Sequence, residues 1–262
     1  MFFKELLQYF LIQLIYTLGS ILFFGFLISA CQKAFYRNLG TMSLTACYVT
    51  GFIGTPIHEC SHALFCIIFG HKIVDMQLFQ IGASDGAIGY VEHSYNPKNI
   101  YQRIGTFFIG TAPILVISAL LYLLAYLLIP ELLFGIIGQV ESIGDKLGAK
   151  ELFSVVIYIF KALWEHIRMG KFWIFLLVGI FLALHMSLSG ADIKNAAGGL
   201  GILLLVLFVT DAVLHLFGVL DSFTVLVIKG ASFMITFLSV SLVISFVAVL
   251  FSLLIRWIAR KF

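Results

Sequence analysis

Polar residues interrupt this chain rarely, and the intervals between them set its architecture. A helix rises about 1.5 Å per residue, so about 20 apolar residues cross the hydrocarbon core of a bilayer. Intervals of that order, free or nearly free of charge, lie at residues 6–31, 42–69, 104–129, 172–189, 200–220 and 222–255, which predicts about six transmembrane helices in a single integral membrane domain, 1–262. The last interval exceeds one straight span and carries Lys229, so a tilt or a break near Gly230 is expected.

Two intervals follow other rhythms. Residues 72–99 read KIVDMQLFQIGASDGAIGYVEHSYNPKN, with β-branched and aromatic residues on both sides of a turn-rich GASDG centre, which predicts a β-hairpin or small β-sheet. Asn96 and Asn99 flank Pro97 and predict a turn before the third span. In residues 131–170 charge returns. There Leu152, Val156, Ile159, Leu163 and Ile167 share one helical stripe, with Lys161, Glu165 and Arg168 elsewhere on the wheel, predicting an amphipathic helix in the membrane interface. The expected fold is therefore an all-α polytopic membrane protein with a small β insertion.

Composition sharpens this picture. Of 262 residues 61% are apolar and 11% charged, against roughly 25% charged in an ordinary soluble domain, so a water-soluble globule is excluded. The balance of 16 Lys and Arg against 13 Asp and Glu is weak and scattered, which argues against a nucleic-acid surface. Cys31, Cys47, Cys60 and Cys66 lie in apolar runs without a C-x-x-C pair and read as reduced packing residues. The first apolar run outlasts the h-region of a signal peptide and reads as a retained anchor. A basic C-terminal RWIARK group favours cytoplasmic termini, and short loops suit a bacterial inner-membrane protein.

Candidate chemistry sits in the second span. His58-Glu59-Cys60-Ser61-His62 fits H-E-x-x-H, which puts two imidazoles one turn apart on one helix face, where both can bind one zinc ion. Glu59 beside them can take a proton from water and return it to a leaving amine. Ionisable groups inside a span are costly unless partnered or functional, so the metal reading outweighs a structural His/Glu cluster. A catalytic zinc needs a third protein ligand, for which His185 and Asp192 are candidates; depth slightly favours His185, while unwinding at the Ser-Gly step would carry Asp192 inward. Asp211 and His215, one turn apart, read equally well as a relay or as a mutually satisfied pair, and His93 reads as solvated. His71 and His166 carry no assigned role.

HECSH within a span, a β-rich insertion after it and a following span opening RIGTFFIGTAPIL together resemble the site-2 protease class of intramembrane zinc metalloproteases, over roughly residues 50–195. The stretch TAPILV at 111–116 stands where that class has A-G-P-L-x-N, with Val116 in place of Asn. SGAD at 189–192 stands in place of L-D-G, which is closer to divergent bacterial zincin-type membrane peptidases. The resemblance implies that His58 and His62 bind Zn2+, that Asp192 completes the site with His185 as a supporting or alternative ligand, that Glu59 is the catalytic base, and that the substrate is a membrane-anchored protein or peptide. A strand edge at residues 76–79 or 88–92 would hold such a substrate extended. The alternative is a non-catalytic metal-binding scaffold or a metal transporter.

Overall fold

In the computed structural model, which describes residues 2–83, 86–143 and 149–261, helices dominate and one two-stranded sheet interrupts them. Helix α1 (Phe2–Leu14) passes through a π turn at Ile15–Gly19 into α2 (Ser20–Leu39). A 3-10 turn, Gly40–Met42, then leads into α3 (Ser43–Ile68). Gly40 has φ 57°, a left-handed conformation that only glycine adopts cheaply, and the chain reverses there. The reversal brings Tyr36 Oη within 3.3 Å of Thr50 Oγ1, residues that a continuous helix would hold about 21 Å apart.

Strands β1 (Lys72–Gln77) and β2 (Tyr90–Ser94) pair antiparallel, with a bulge between Ile73 and Asp75. This is the expected hairpin directly after α3; Ser84 and Asp85 of its GASDG centre lie outside the described residues. The expected turn forms, with the Asn99 amide donating to the Asn96 carbonyl at 2.9 Å, and Asn99 then caps α4 (Ile100–Leu128) by accepting from the amides of Tyr101 and Gln102.

Among the described residues, four helical runs are long and apolar enough to cross a membrane: Phe2–Ile68, which holds the intervals 6–31 and 42–69 on either side of Gly40, Ile100–Leu128, Gly190–Leu216 and Leu220–Ala259. This differs from six spans. The interval 172–189 forms only the 14-residue helix α7 (Gly170–Ala183), because the chain unwinds over residues 184–189. Gln32 of α2 holds the unwound stretch by donating to the Leu184 carbonyl at 2.5 Å and accepting from the Ser187 hydroxyl. Helix α8 (Gly190–Leu216) therefore begins ten residues before the predicted fifth span, and α9 (Leu220–Ala259) runs through Gly230 without a break.

The amphipathic stretch expected within 131–170 is a helix, α6 (Ala149–Glu165), and a second helix, α5 (Pro130–Ile143), precedes it; residues 144–148 lie outside the described residues. Of the predicted stripe, Ile159 and Leu163 are buried in the protein core while Ile167 is exposed, so the middle of this apolar face packs against other helices. The same core joins Ile28 of α2, Ile117 and Leu121 of α4, Phe175 of α7 and Ile244 of α9. Apolar side chains also cover the outside, Phe26 at 72% and Trp164 at 74% exposure among them, as a lipid-facing surface requires. All four cysteines are free.

Candidate metal centre

His58 and His62 lie on α3, and their Nε2 atoms face each other at 3.1 Å. Asp192, in the first turn of α8, points at both: Oδ1 lies 3.1 Å from His62 Nε2 and Oδ2 lies 3.7 Å from His58 Nε2. The unwinding weighed for the Ser-Gly step occurs just before it and lets α8 restart. A reciprocal cap then fixes the carboxylate: Asp192 Oδ2 accepts from the Ser189 amide at 2.7 Å, and Ser189 Oγ accepts from the Asp192 amide at 3.1 Å. Gly110 on α4 makes room, since a Cβ there would run into the main chain of Asp192 and Ala196.

Two interrupted helices set the imidazole tautomers. Pro113 has no N–H, so the carbonyl four residues earlier, Ile109, loses its partner within α4. It accepts instead from His62 Nδ1 at 2.7 Å. The carbonyl of His185, in the unwound stretch after α7, likewise accepts from His58 Nδ1 at 2.6 Å. Each Nδ1 therefore carries the proton and each Nε2 presents a lone pair, the arrangement that orients ligating histidines.

This donor set fits a metal ion. Two lone pairs and a carboxylate converge within 4.8 Å, all acceptors, so they attract a cation and repel one another without one. Two nitrogens bound about 2.0–2.1 Å from one tetrahedral ion stand about 3.3 Å apart, close to the separation of the His58 and His62 nitrogens. Two imidazoles and one carboxylate leave a fourth tetrahedral position open, the pattern of catalytic zinc sites.

His185 does not offer its ring. Thr50 Oγ1 donates to the Ala46 carbonyl at 2.8 Å and so accepts from His185 Nε2 at 2.9 Å, while Thr55 Oγ1 donates to Nδ1 at 3.3 Å. Both nitrogens are engaged. Gly54 allows this closeness: a Cβ there would lie 2.5 Å from His185 Cδ2 and 2.6 Å from the Phe181 carbonyl.

Glu59 is 94% buried next to the pair, close enough to interact electrostatically with His58 and Asp192, and has no hydrogen-bond partner among the described residues. The chain entering β2 passes over it, since a Cβ at Gly89 would lie 2.6 Å from Thr55 Cγ2 and 2.9 Å from Glu59 Cγ.

Two expectations fail, for His93 and for the Asp211–His215 pair. His93 is half-buried rather than solvated, and His71 is buried with a full set of partners. His71 Nε2 donates to the Gln102 carbonyl at 2.7 Å, so its Nδ1 accepts from His93 Nδ1 at 3.0 Å, and His93 Nε2 accepts from Asn195 Nδ2 at 3.2 Å. This relay straps the hairpin to the turn of α8 that follows Asp192. Burial, then the neighbouring His71 and His62, hold His93 below the ordinary histidine value of 6.5. Asp211 and His215 do not pair with each other: each meets a residue of α1 instead, Asp211 Gln13 and His215 Glu5. His166 bonds back to the Ala162 carbonyl of its own helix.

The chain matches no known family, no characterised protein and no solved structure.

Proposed function

We propose that this chain is an intramembrane zinc metalloprotease that hydrolyses a peptide bond of a membrane-anchored protein, in the manner of the site-2 protease class. The observation that carries the reading is the pair of Nδ1–H donations to main-chain carbonyls, which aim both Nε2 lone pairs at Asp192. His58, His62 and Asp192 would hold Zn2+, which when bound would act as a Lewis acid and bring the pKa of a water to about 7.

Glu59 does the proton work. Its carboxylate takes one proton from water as the new carbon–oxygen bond forms, and gives it to the nitrogen as the carbon–nitrogen bond breaks, leaving an acid and an amine. Glu59 accepts no hydrogen bond from another described residue, which leaves its oxygens available. Gly89 packs against Glu59, and the free edge of residues 88–92 would suit an unwound substrate segment as an added strand. Both termini would be cytoplasmic, in a multi-pass protein of a bacterial inner membrane.

The test pairs metal analysis with cleavage of a membrane-tethered reporter in proteoliposomes. Wild type should hold one zinc per chain and cleave. Glu59→Gln should hold the same zinc and cleave at least about 100-fold more slowly. A Glu59→Gln chain that still cleaves, or a wild-type chain that folds without metal, overturns the proposal.

A further inference from the structure

Helix α1 places Glu5, Tyr9 and Gln13 at four-residue spacing, so one polar stripe runs along it. Every member meets α8 or α9. Glu5 Oε2 lies 3.7 Å from His215 Nε2, Tyr9 donates to Asp221 Oδ1 at 3.3 Å, and Gln13 Nε2 donates to Asp211 Oδ1 at 3.2 Å and Thr224 Oγ1 at 2.9 Å. Exposure falls along the stripe, from 45% and 18% for the Glu5 and His215 side chains to 0% for Gln13 and Asp211. The π turn Ile15–Gly19 follows at once, and such wide turns recur at functional sites.

At the deep end a donor is missing. Asp211 Oδ2 and Gln13 Oε1 are both buried without a hydrogen-bond partner among the described residues, and both are acceptors. Among the described residues, the cations of the three helices, Lys4, Lys194, Lys229 and Arg256, form no ion pair with Asp211; its contacts are neutral, through Gln13. An ionised carboxylate left unpaired inside an apolar helix bundle is among the most costly groups the bundle can hold, and taking up a proton is its usual escape. A metal cation would need several more oxygens around it, whereas one proton on Oδ2 removes the charge and supplies the missing donor.

We propose that Asp211 is a proton-binding site, neutral in the resting protein, with Gln13 fixing its Oδ1 and the Tyr9/Asp221 and Glu5/His215 contacts forming its route to the exposed end of the bundle. Uptake forms one O–H bond on Oδ2; release returns that proton along the stripe and leaves a charge that α1, α8 and α9 must part to hydrate. The site is separate from the metal centre. It lies nineteen residues along α8 from Asp192, about 28 Å at helical rise.

Infrared spectra of the full chain in lipid nanodiscs at neutral pH, grown with carbon-13-labelled aspartate, test this directly. The expected result is a carbonyl stretch of a protonated carboxylic acid that shifts with the label and is absent in Asp211→Asn. Should that variant not fold, Asp211→Glu retains an acid, and its band should become insensitive to the aspartate label. The proposal is overturned by a wild-type spectrum without a protonated aspartate band, by a label-sensitive band that survives in either variant, or by loss of the band when sodium replaces choline in the buffer, which would assign a sodium site instead.

Discussion

His58 Nδ1 lies 2.6 Å from the carbonyl oxygen of His185, so His185 meets the candidate metal centre through its main chain while Thr50 and Thr55 occupy its ring. Replacing that ring should leave the carbonyl where it is. His185→Asn is therefore expected to keep about one zinc per chain while losing about 2 kcal/mol of stability, because the two threonine hydroxyls lose a buried partner. Asp192→Ala should lose the zinc, and with it the reciprocal cap that starts α8, at a cost of about 1 kcal/mol. Metal analysis alongside thermal unfolding decides between them; zinc lost from a folded His185→Asn chain, or retained by Asp192→Ala, would exchange the two roles.

Pro113 acts on His62 from another helix. Its missing N–H leaves the Ile109 carbonyl free to accept from His62 Nδ1 at 2.7 Å. Pro113→Ala restores a competing intrahelical donor. Zinc affinity should fall by about 10–100-fold, the range seen when a ligand's supporting hydrogen bond is removed, with helicity unchanged. Competition with a chelator of known affinity measures this, and an unchanged affinity would mean that the proline has no part in orienting His62.

What the sequence could reveal follows from the distance over which each feature is written. H-E-x-x-H was legible because four-residue spacing on one helix is a local fact, and the hairpin was legible from its own composition. Asp192 became a credible ligand through a family resemblance, although Ser189 and Asp192 already stood at the spacing of a helix cap. The carbonyls of His185 and Ile109 had no residue signature, since every residue has a carbonyl; Pro113 was the one local sign that Ile109 would be free. Asp211 and His215 misled for the opposite reason. Their spacing suggested a pair, but Gln13, 198 residues away, was the true partner of Asp211. Residues 131–170 showed an apolar stripe, and a stripe alone does not say whether lipid or protein covers it.

The strap between hairpin and α8 should make stability depend on pH. Burial and the nearby His71 and His62 hold His93 below its ordinary value of 6.5, so the folded chain binds fewer protons than the unfolded chain in the window just beneath that value. Stability from this group is fully present above about 6.5 and is lost as pH falls through it. Protonation also breaks the relay, because His93 Nε2–H would face the Asn195 amide donor. Thermal unfolding from pH 8 to pH 5 should show a drop in wild type that is reduced in His93→Gln. Parallel curves for the two chains would remove His93 from the account.

The edge of β2 gives the sharpest test of how substrate is held. In an antiparallel pair, the N–H groups of successive residues alternate between the partner strand and the outer edge. Val91 and Glu92 stand opposite Met76 and Asp75, so one of the two amides faces β1 and its neighbour faces outward. Proline at the outward position removes a donor that only an added strand would use, and edge positions tolerate proline. One of Val91→Pro and Glu92→Pro should therefore keep its fold and its zinc yet lose reporter cleavage, while the other disturbs the hairpin itself. Cleavage at wild-type rates by both folded variants would show that substrate is held by some surface other than this edge.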